Sequence, residues 1–264
     1  MSIGFGHRSK IGQLYPSGGL CDFEIQLMAP EGVQFLTTRM PFKRSSLEDD
    51  IAFVKELETH AELLADAQVD LIAMNCTAAS LIAGPEVVNQ RIWSATGIPS
   101  VTTIEALMAA VQATGMQRVA LMTPYVQEVV DKEVEYLTAG GYEVVTTLGK
   151  ACQTPIEQGS LPPETWLNLS RQLQDDTRID GLIISCAGIQ VAPVLAQIEQ
   201  ELCIPVVTSN QALLWACLSL SGIMEPVTNY GDLLGGKFGS YGLTSKGQHS
   251  SKSQHHRQST QCNK

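Results

Sequence analysis

The sequence has few positive charges and few aromatic side chains. Of its 264 residues, 17 are Lys or Arg and 27 are Asp or Glu, which gives a formal net charge of −10, and aromatic residues make up 6%. Proteins that bind nucleic acid gather cationic side chains against the phosphates, so we expect no nucleic-acid partner. A hydrophobic content of 44% is ordinary for a globular protein. The length suits one large domain or two modest ones.

Long apolar runs are also missing. No stretch approaches the roughly 18 uninterrupted apolar residues of a membrane span, and residues 1–16 lack the long apolar segment of a secretion signal. We therefore expect no membrane partner and a cytoplasmic location. The cysteine count is seven, an odd number, and cytosolic thiols normally stay reduced. A disulfide framework is not expected, so each thiol has to be considered singly.

The C-terminal stretch 243–264 differs from the rest of the chain. It contains no acidic residue, is rich in Ser, Gln and His, and has almost no apolar residues with which to bury itself. This composition predicts a disordered tail. The pair His255–His256 has no other spaced ligands near it, and we predict no metal site.

Short apolar runs alternate with amphipathic stretches along the remaining chain, a pattern typical of βα units around a parallel sheet. The predicted strands are 11–16, 33–40, 69–76, 99–103, 118–124, 142–149, 180–186 and 204–209. The stretch 46–67 opens with a Ser-x-x-Asp cap, 126–141 ends on glycines and 162–176 begins with prolines, so each predicts a helix.

The pattern repeats with a spacing of about 100 residues. Three pairs of segments match in the same order: 10–17 with 118–125, 69–80 with 179–190, and 97–107 with 203–213. One match would be noise, but three at nearly one spacing indicate an internal duplication.

The duplication predicts an α/β fold with two parallel sheets, one in each of two domains related by a pseudo-twofold axis. We assign residues 1–107 plus 214–242 to the first domain and 108–213 to the second. The carboxyl ends of both sheets then face a shared cleft, where ligands of open α/β sheets bind.

The duplication also pairs two cysteines. Cys76 in "VDLIAMNCTAAS" and Cys186 in "IDGLIISCAGIQ" end equivalent strands, and we predict that both face the cleft. We expect a helix to begin at each, so that its amides and dipole lower the thiol pKa from about 8.5 and bind a carboxylate. The other cysteines have no equivalent cysteine in the second copy of the repeat, and we expect them to be structural; they are Cys21, Cys152, Cys203, Cys217 and Cys262.

Two opposed thiols allow two kinds of isomerisation. One thiolate can remove a proton alpha to a carboxylate while the other thiol delivers one to the opposite face, which inverts the carbon centre. Alternatively, one thiolate adds to a double bond, the resulting single bond rotates, and the sulfur leaves, which converts cis to trans. Neither route needs a metal or an organic cofactor.

Other residues at the predicted cleft could bind a carboxylate substrate. Thr77 offers a hydroxyl and an amide beside the first cysteine, and Tyr125 offers a phenol. Ser17 and Gly18 lie in the turn that ends the first strand. Arg39 ends the second strand, where either an acid-binding role or a solvated position fits.

The cysteine turns "MNCTAAS" and "ISCAGI", with "RVALMTPYVQEV" between them, resemble the aspartate/glutamate racemase superfamily. Within it, the chain is most similar to the branch of maleate cis-trans isomerases and arylmalonate decarboxylases, from about Ile11 to Leu234. The resemblance implies two flavodoxin-like domains, no cofactor and a small carboxylic acid substrate. It implies that Cys76 is the nucleophile, that Cys186 is the proton donor, and that four further positions hold the substrate carboxylate: Thr77, Ala78, Tyr125 and Ala187.

Two departures from the maleate isomerase pattern leave the substrate open. Gly19 and Pro155 stand where the resemblance implies asparagines, which favours a different or bulkier acid than maleate. An isomerase or racemase is the first hypothesis. An arylmalonate-type decarboxylase, which needs only Cys186, is the second, and a noncatalytic small-acid binding protein is the third. The oligomeric state is open, and a homo-oligomer is possible.

Overall fold

A computed structural model describes residues 4–242, so the predicted tail 243–264 and its His255–His256 pair lie outside the described residues. Two four-stranded parallel sheets organise this part of the chain. The first contains, in spatial order, β2 (Val33–Met40), β1 (Ser9–Pro16), β3 (Leu71–Met74) and β4 (Ser100–Thr102). The second contains β6 (Glu143–Gly149), β5 (Arg118–Thr123), β7 (Gly181–Ile184) and β8 (Val206–Thr208).

Both sheets have the same strand order, with the first strand of each half pairing with the second and the third. Every residue of β3 and β7 is buried, because helices cover both faces of a parallel sheet. Each of the eight strands lies within or overlaps a predicted one, and the predicted α/β fold with two parallel sheets is confirmed.

The helices flank the sheets in both halves. In the first half they are α1 (Glu24–Met28), α2 (Leu47–Phe53), α3 (Leu57–Ala65), α4 (Thr77–Ala83), α5 (Pro85–Thr96) and α6 (Thr103–Thr114). The others are α7 (Gln127–Ala139), α8 (Pro155–Ser160), α9 (Pro163–Ser170), α10 (Leu195–Leu202), α11 (Ser209–Leu220) and α12 (Gly231–Leu234). A short 3₁₀ turn, Arg171–Leu173, extends α9. Within residues 4–242, no helix combines the length and the apolarity that crossing a membrane requires.

The predicted helix over 46–67 is two helices. Its cap is as expected, because the Ser46 hydroxyl oxygen accepts the amide of Asp49 at 3.2 Å. The backbone leaves the helical region between α2 and α3, where Glu56 has φ −114° and ψ 33°. The apolar spacing continues from Phe53 to Leu57 and contains no Pro or Gly, so the sequence gives no local signal for the break.

Helices α6 and α11 join the two halves through one apolar core. Both open with a capping box, formed by Thr102 with Glu105 and by Thr208 with Gln211. Their buried faces belong to a cluster that also contains Ile11 of the first sheet and further residues of the second. Burial of apolar surface in this shared core holds the sheets in a fixed relation. The predicted domain boundaries at 107/108 and 213/214 fall inside these helices, and the division into domains stays a prediction.

Candidate active site

A pocket of about 450 Å³, including its mouth, lies between the carboxyl ends of the two sheets. Cys76 and Cys186 both line it, each two residues beyond the end of its strand, β3 or β7. Because the strands occupy the same position in the two sheets, the pocket receives one sulfur from each half. Six predicted site residues lie along this single pocket: Cys76, Thr77, Ala78, Tyr125, Cys186 and Ala187.

The two cysteines have different local backbones. Cys76 is the N-cap of α4, where its side chain makes no capping hydrogen bond, and the nearby amide of Ala79 favours its thiolate. No helix follows Cys186 directly, because the next one, α10, begins at Leu195. The prediction of a helix start at Cys186 is therefore wrong. A turn takes its place, in which the Gly188 amide donates to the sulfur at 3.2 Å and the thiol donates to Gln158 Oε1 at 3.8 Å. The nearby Tyr125 hydroxyl favours the Cys186 thiolate.

Burial raises the pKa of both thiols, contrary to the lowered values that the sequence led us to expect. The pKa of Cys186 rises to about 12, and that of Cys76 rises well above its ordinary value. Each thiolate would lose most of its hydration, and the hydrogen bonds from amides and Tyr125 offset only part of that cost. Both sulfurs are therefore thiols at neutral pH.

Backbone amides beside Cys76 remain open to a ligand. Thr77 and Ala78 occupy the first turn of α4, where amides have no acceptor within the helix. The Thr77 hydroxyl is engaged elsewhere, because it donates to the Ser209 hydroxyl oxygen at 2.9 Å and so links the two halves. The geometry therefore offers the amides, rather than this hydroxyl, to a carboxylate.

Three residues considered for substrate binding do not line the pocket. The Ser17 hydroxyl oxygen accepts the Phe42 amide at 3.0 Å, and the Gly18 amide donates to the Phe42 carbonyl at 3.1 Å. Their turn thus holds the segment after β2 in place. Arg39 forms an ion pair with Asp22 at 2.7 Å. The neighbouring Gly19 lines the pocket in their place.

A buried carboxylate supports the turn that carries Cys186. Glu24 of α1 accepts the amides of Val191 at 2.5 Å and Ala192 at 2.8 Å, and the Asn210 side chain at 2.6 Å. The same Asn210 amide donates to the Ala187 carbonyl at 3.2 Å. Glu24 belongs to the first half and the turn to the second, so this network fixes the second cysteine relative to the first.

Segments from both halves also meet over the pocket. The Gln158 side chain of α8 donates to the Ser45 hydroxyl oxygen at 2.8 Å, and the Ser45 amide donates to the Gln153 carbonyl at 2.9 Å. Ser45 and Gln158 both line the pocket. These contacts between the two halves cover part of the pocket, and no local pattern in the sequence points to either residue.

Asp50 is the pocket residue that sequence reasoning missed most clearly. Only 2% of it is exposed, its Oδ1 has no hydrogen-bond partner among the described residues, and it lines the pocket beside Cys76. Burial, together with the charges of Asp49 and Glu128, raises its pKa to about 7. A signal existed, because Asp50 lies three residues before Phe53 and seven before Leu57, on the apolar stripe of the predicted helix.

The lining of the pocket contains no Lys, Arg or His among the described residues. No group of three or more His, Cys, Asp or Glu side chains within residues 4–242 is arranged to hold a metal ion. Positive polarity at the site therefore comes from backbone amides and side-chain hydroxyls.

Comparison with known proteins identifies the family. The family model described as arylmalonate decarboxylase matches residues 12–234. The chain belongs to the arylmalonate decarboxylase family. A maleate isomerase from Geobacillus stearothermophilus is 25% identical to this chain over 247 residues. The match covers 87% of this chain and 98% of the relative. The arylmalonate decarboxylase of Bordetella bronchiseptica is 24% identical over 212 residues, covering 78% and 88% respectively.

A solved structure adds a chemical observation about a relative. It is a cysteine-to-serine variant of the maleate cis-trans isomerase from Nocardia farcinica, with a covalently bound succinylcysteine intermediate. It is 26% identical to this chain, covers 86% of it and 98% of its own length, and superposes with a TM-score of 0.79. The predicted branch of the aspartate/glutamate racemase superfamily is thus confirmed.

Proposed function

We propose that the protein is a cofactor-independent cis-trans isomerase of a small unsaturated carboxylic acid. Cys76 is the nucleophile and Cys186 the proton donor. The observation that carries this proposal is the placement of the two sulfurs, one from each half, along one pocket. Membership of the family and the succinylcysteine seen in a relative support it.

The first step is addition to the double bond. The Cys76 thiolate forms a carbon–sulfur bond with one alkene carbon, and the π electron pair moves to the other carbon, alpha to the carboxylate. The amides of Thr77 and Ala78 hold that carboxylate and stabilise the negative charge that spreads onto its oxygens. The Cys186 thiol then gives its proton to the alpha carbon, which leaves a saturated thioether and a Cys186 thiolate.

The remaining steps reverse the addition after a rotation. The former double bond is now single and turns towards the trans arrangement. The Cys186 thiolate removes the proton from the alpha carbon, the double bond forms again, and the carbon–sulfur bond breaks with its electron pair going to sulfur. Both cysteines return to their starting protonation states, so no co-reactant is consumed.

The raised thiol pKa values set the pH dependence of this mechanism. Cys76 must lose a proton to solvent before it attacks, and burial raises the pKa of this group. We therefore expect kcat/KM to rise with pH across the neutral range. Cys186 keeps its proton there, since its pKa is about 12, which suits a donor.

A decarboxylase is the second candidate. Apolar side chains line part of the pocket, among them Phe42, Val126, Val129 and Pro155, and could receive a leaving carboxylate. Cys186 would then protonate the carbanion that remains after loss of carbon dioxide. The name of the family and the relative from Bordetella bronchiseptica favour keeping this candidate. Racemisation and noncatalytic binding of a small acid are the other outcomes that the test distinguishes.

Proton NMR in deuterium oxide tests the proposal. The protein is incubated with candidate substrates of three kinds: small cis-unsaturated acids, amino acids and arylmalonic acids. We expect conversion of a cis acid to its trans isomer by the wild type and by Cys217→Ala, a matched control outside the pocket. Cys76→Ala and Cys186→Ala should abolish it. Formation of an arylacetic acid from an arylmalonic acid that survives Cys76→Ala would establish the decarboxylase, and exchange at an alpha carbon alone would establish a racemase. Binding without any change in the acids would indicate the noncatalytic alternative.

A further inference from the structure

We propose that Asp50 determines which second polar group the substrate carries besides its bound carboxylate: a neutral hydrogen-bond donor such as a primary amide, rather than a second carboxylate. The inference rests on the proposed function, because it names the substrate class of the same pocket. Its first support is position. Asp50 of α2 is 2% exposed and lines the pocket together with Phe42 and Pro155.

The second support is an unsatisfied oxygen. Oδ1 of Asp50 is buried and has no hydrogen-bond partner within the described part of the chain. Buried carboxylate oxygens normally accept hydrogen bonds, since leaving one unpaired costs free energy. A ligand with an N–H or O–H group in this part of the pocket would supply the missing donor. A carboxylate offers none when ionised.

The third support is the charge around Asp50. Besides burial, the charges that raise the pKa of Asp50 are those of Asp49 and Glu128, both acidic. Arg44 lies near Asp49, with its Nε 3.3 Å from Oδ2, but its side chain is mostly exposed. The pocket lining contains no cation among the described residues. A second carboxylate would therefore enter a negative region without a counter-ion, whereas an amide of nearly the same size would not.

The pocket thus offers two kinds of partner. The amides of Thr77 and Ala78 offer donors to an anion. Asp50 offers an acceptor to a donor. The substrate class that fits is a short cis-unsaturated acid with one carboxylate and one amide or similar neutral donor.

Binding and turnover can test this separately. For binding, calorimetry compares succinate with its monoamide, because neither has a double bond that could isomerise. At about pH 8 we expect the wild type to bind the monoamide at least about tenfold more tightly. Asp50→Asn should remove the preference, since its amide can donate to a carboxylate. Glu48→Gln is the matched control, because it makes the same change in charge on an exposed residue of the same helix, and it should keep the preference.

For turnover, NMR compares the isomerisation of maleate with that of its monoamide. We expect the monoamide to have the higher kcat/KM in the wild type. If neither cis acid is isomerised, the proposed function fails, while the binding ratio still tests Asp50. Equal or tighter binding of the diacid, an unchanged ratio in Asp50→Asn, or binding of neither ligand overturns the inference. Circular dichroism of Asp50→Asn verifies that the variant is folded before the ratios are compared.

Discussion

Replacement of Asp50 by Asn should stabilise the protein, and the gain should grow with pH. The pKa of this carboxyl is about 7 in the fold, against an ordinary value of 3.8. An acid whose pKa is raised on folding binds more protons folded than unfolded between those two values, so stability falls as pH rises through that window. Asn is neutral throughout and avoids the loss.

The size of the effect follows from the shift. About three pKa units at about 1.4 kcal/mol each give a penalty of roughly 4 kcal/mol for the ionised, buried carboxyl at high pH. Part of the penalty is already present at about pH 5.5, so the difference between variant and wild type should grow by about 2 kcal/mol between about pH 5.5 and about pH 8.5. The increase should level off above about pH 8, where Asp50 is fully ionised in the fold.

Urea unfolding across that pH range measures the difference. Tryptophan fluorescence and circular dichroism are followed together, because coincident transitions justify a single free energy of unfolding. Glu48→Gln removes an exposed carboxyl from the same helix and should show no comparable trend. A stability difference between Asp50→Asn and wild type that stays constant with pH would refute the assignment of Asp50 as a buried carboxyl with a raised pKa.

Three further substitutions test the contacts around the cysteines. Thr77→Val removes the hydrogen bond to Ser209 and should lower the free energy of urea unfolding by about 1–2 kcal/mol, whereas Thr77→Ser should lower it less. Tyr125→Phe removes a hydroxyl that favours the Cys186 thiolate, so the pKa of that thiol should rise further and kcat should fall about tenfold, roughly what one hydrogen bond to a charged group contributes. Glu24→Gln replaces one carboxylate oxygen by an NH2 group that faces the backbone amides or the Asn210 side-chain amide. It should lower the free energy of unfolding by about 1–3 kcal/mol in the same assay. An unchanged value in any of these assays would contradict the role given to that residue.

The sequence predicted the strands and the pairing of the cysteines well, because both depend on local pattern and on the repeat. Apolar runs specify buried parallel strands, and the repeat shows which strand ends are equivalent. Those two facts are enough to bring Cys76 and Cys186 to one pocket.

Features that depend on packing across the pocket were not predictable in the same way. The thiol pKa values follow the depth of burial, which is fixed only when both halves close around the site. The contact of Ser45 with Gln158 joins residues 113 positions apart. Arg39 and Ser17 end their segments near the pocket, but their side chains do not line it, because Arg39 pairs with Asp22 and Ser17 accepts the Phe42 amide.

The position of Asp50 could be predicted from the sequence only in part. The helical spacing places it on the apolar face, but the preceding acidic residues make it look like part of an exposed first turn. The structure shows that the apolar face of α2 turns towards the pocket as well as the core, so the residue becomes a candidate for selectivity rather than a capping charge.

The central claim, that Cys76 adds to the substrate while Cys186 supplies the proton, is tested most directly by intact mass spectrometry and peptide mapping. Cys186→Ser is incubated with the cis acid that the wild type isomerises. We expect the variant to gain the mass of one acid molecule on the peptide that contains Cys76, and Cys76→Ala to gain none. Full isomerase activity in Cys76→Ala, or an adduct on a different cysteine, would contradict the claim.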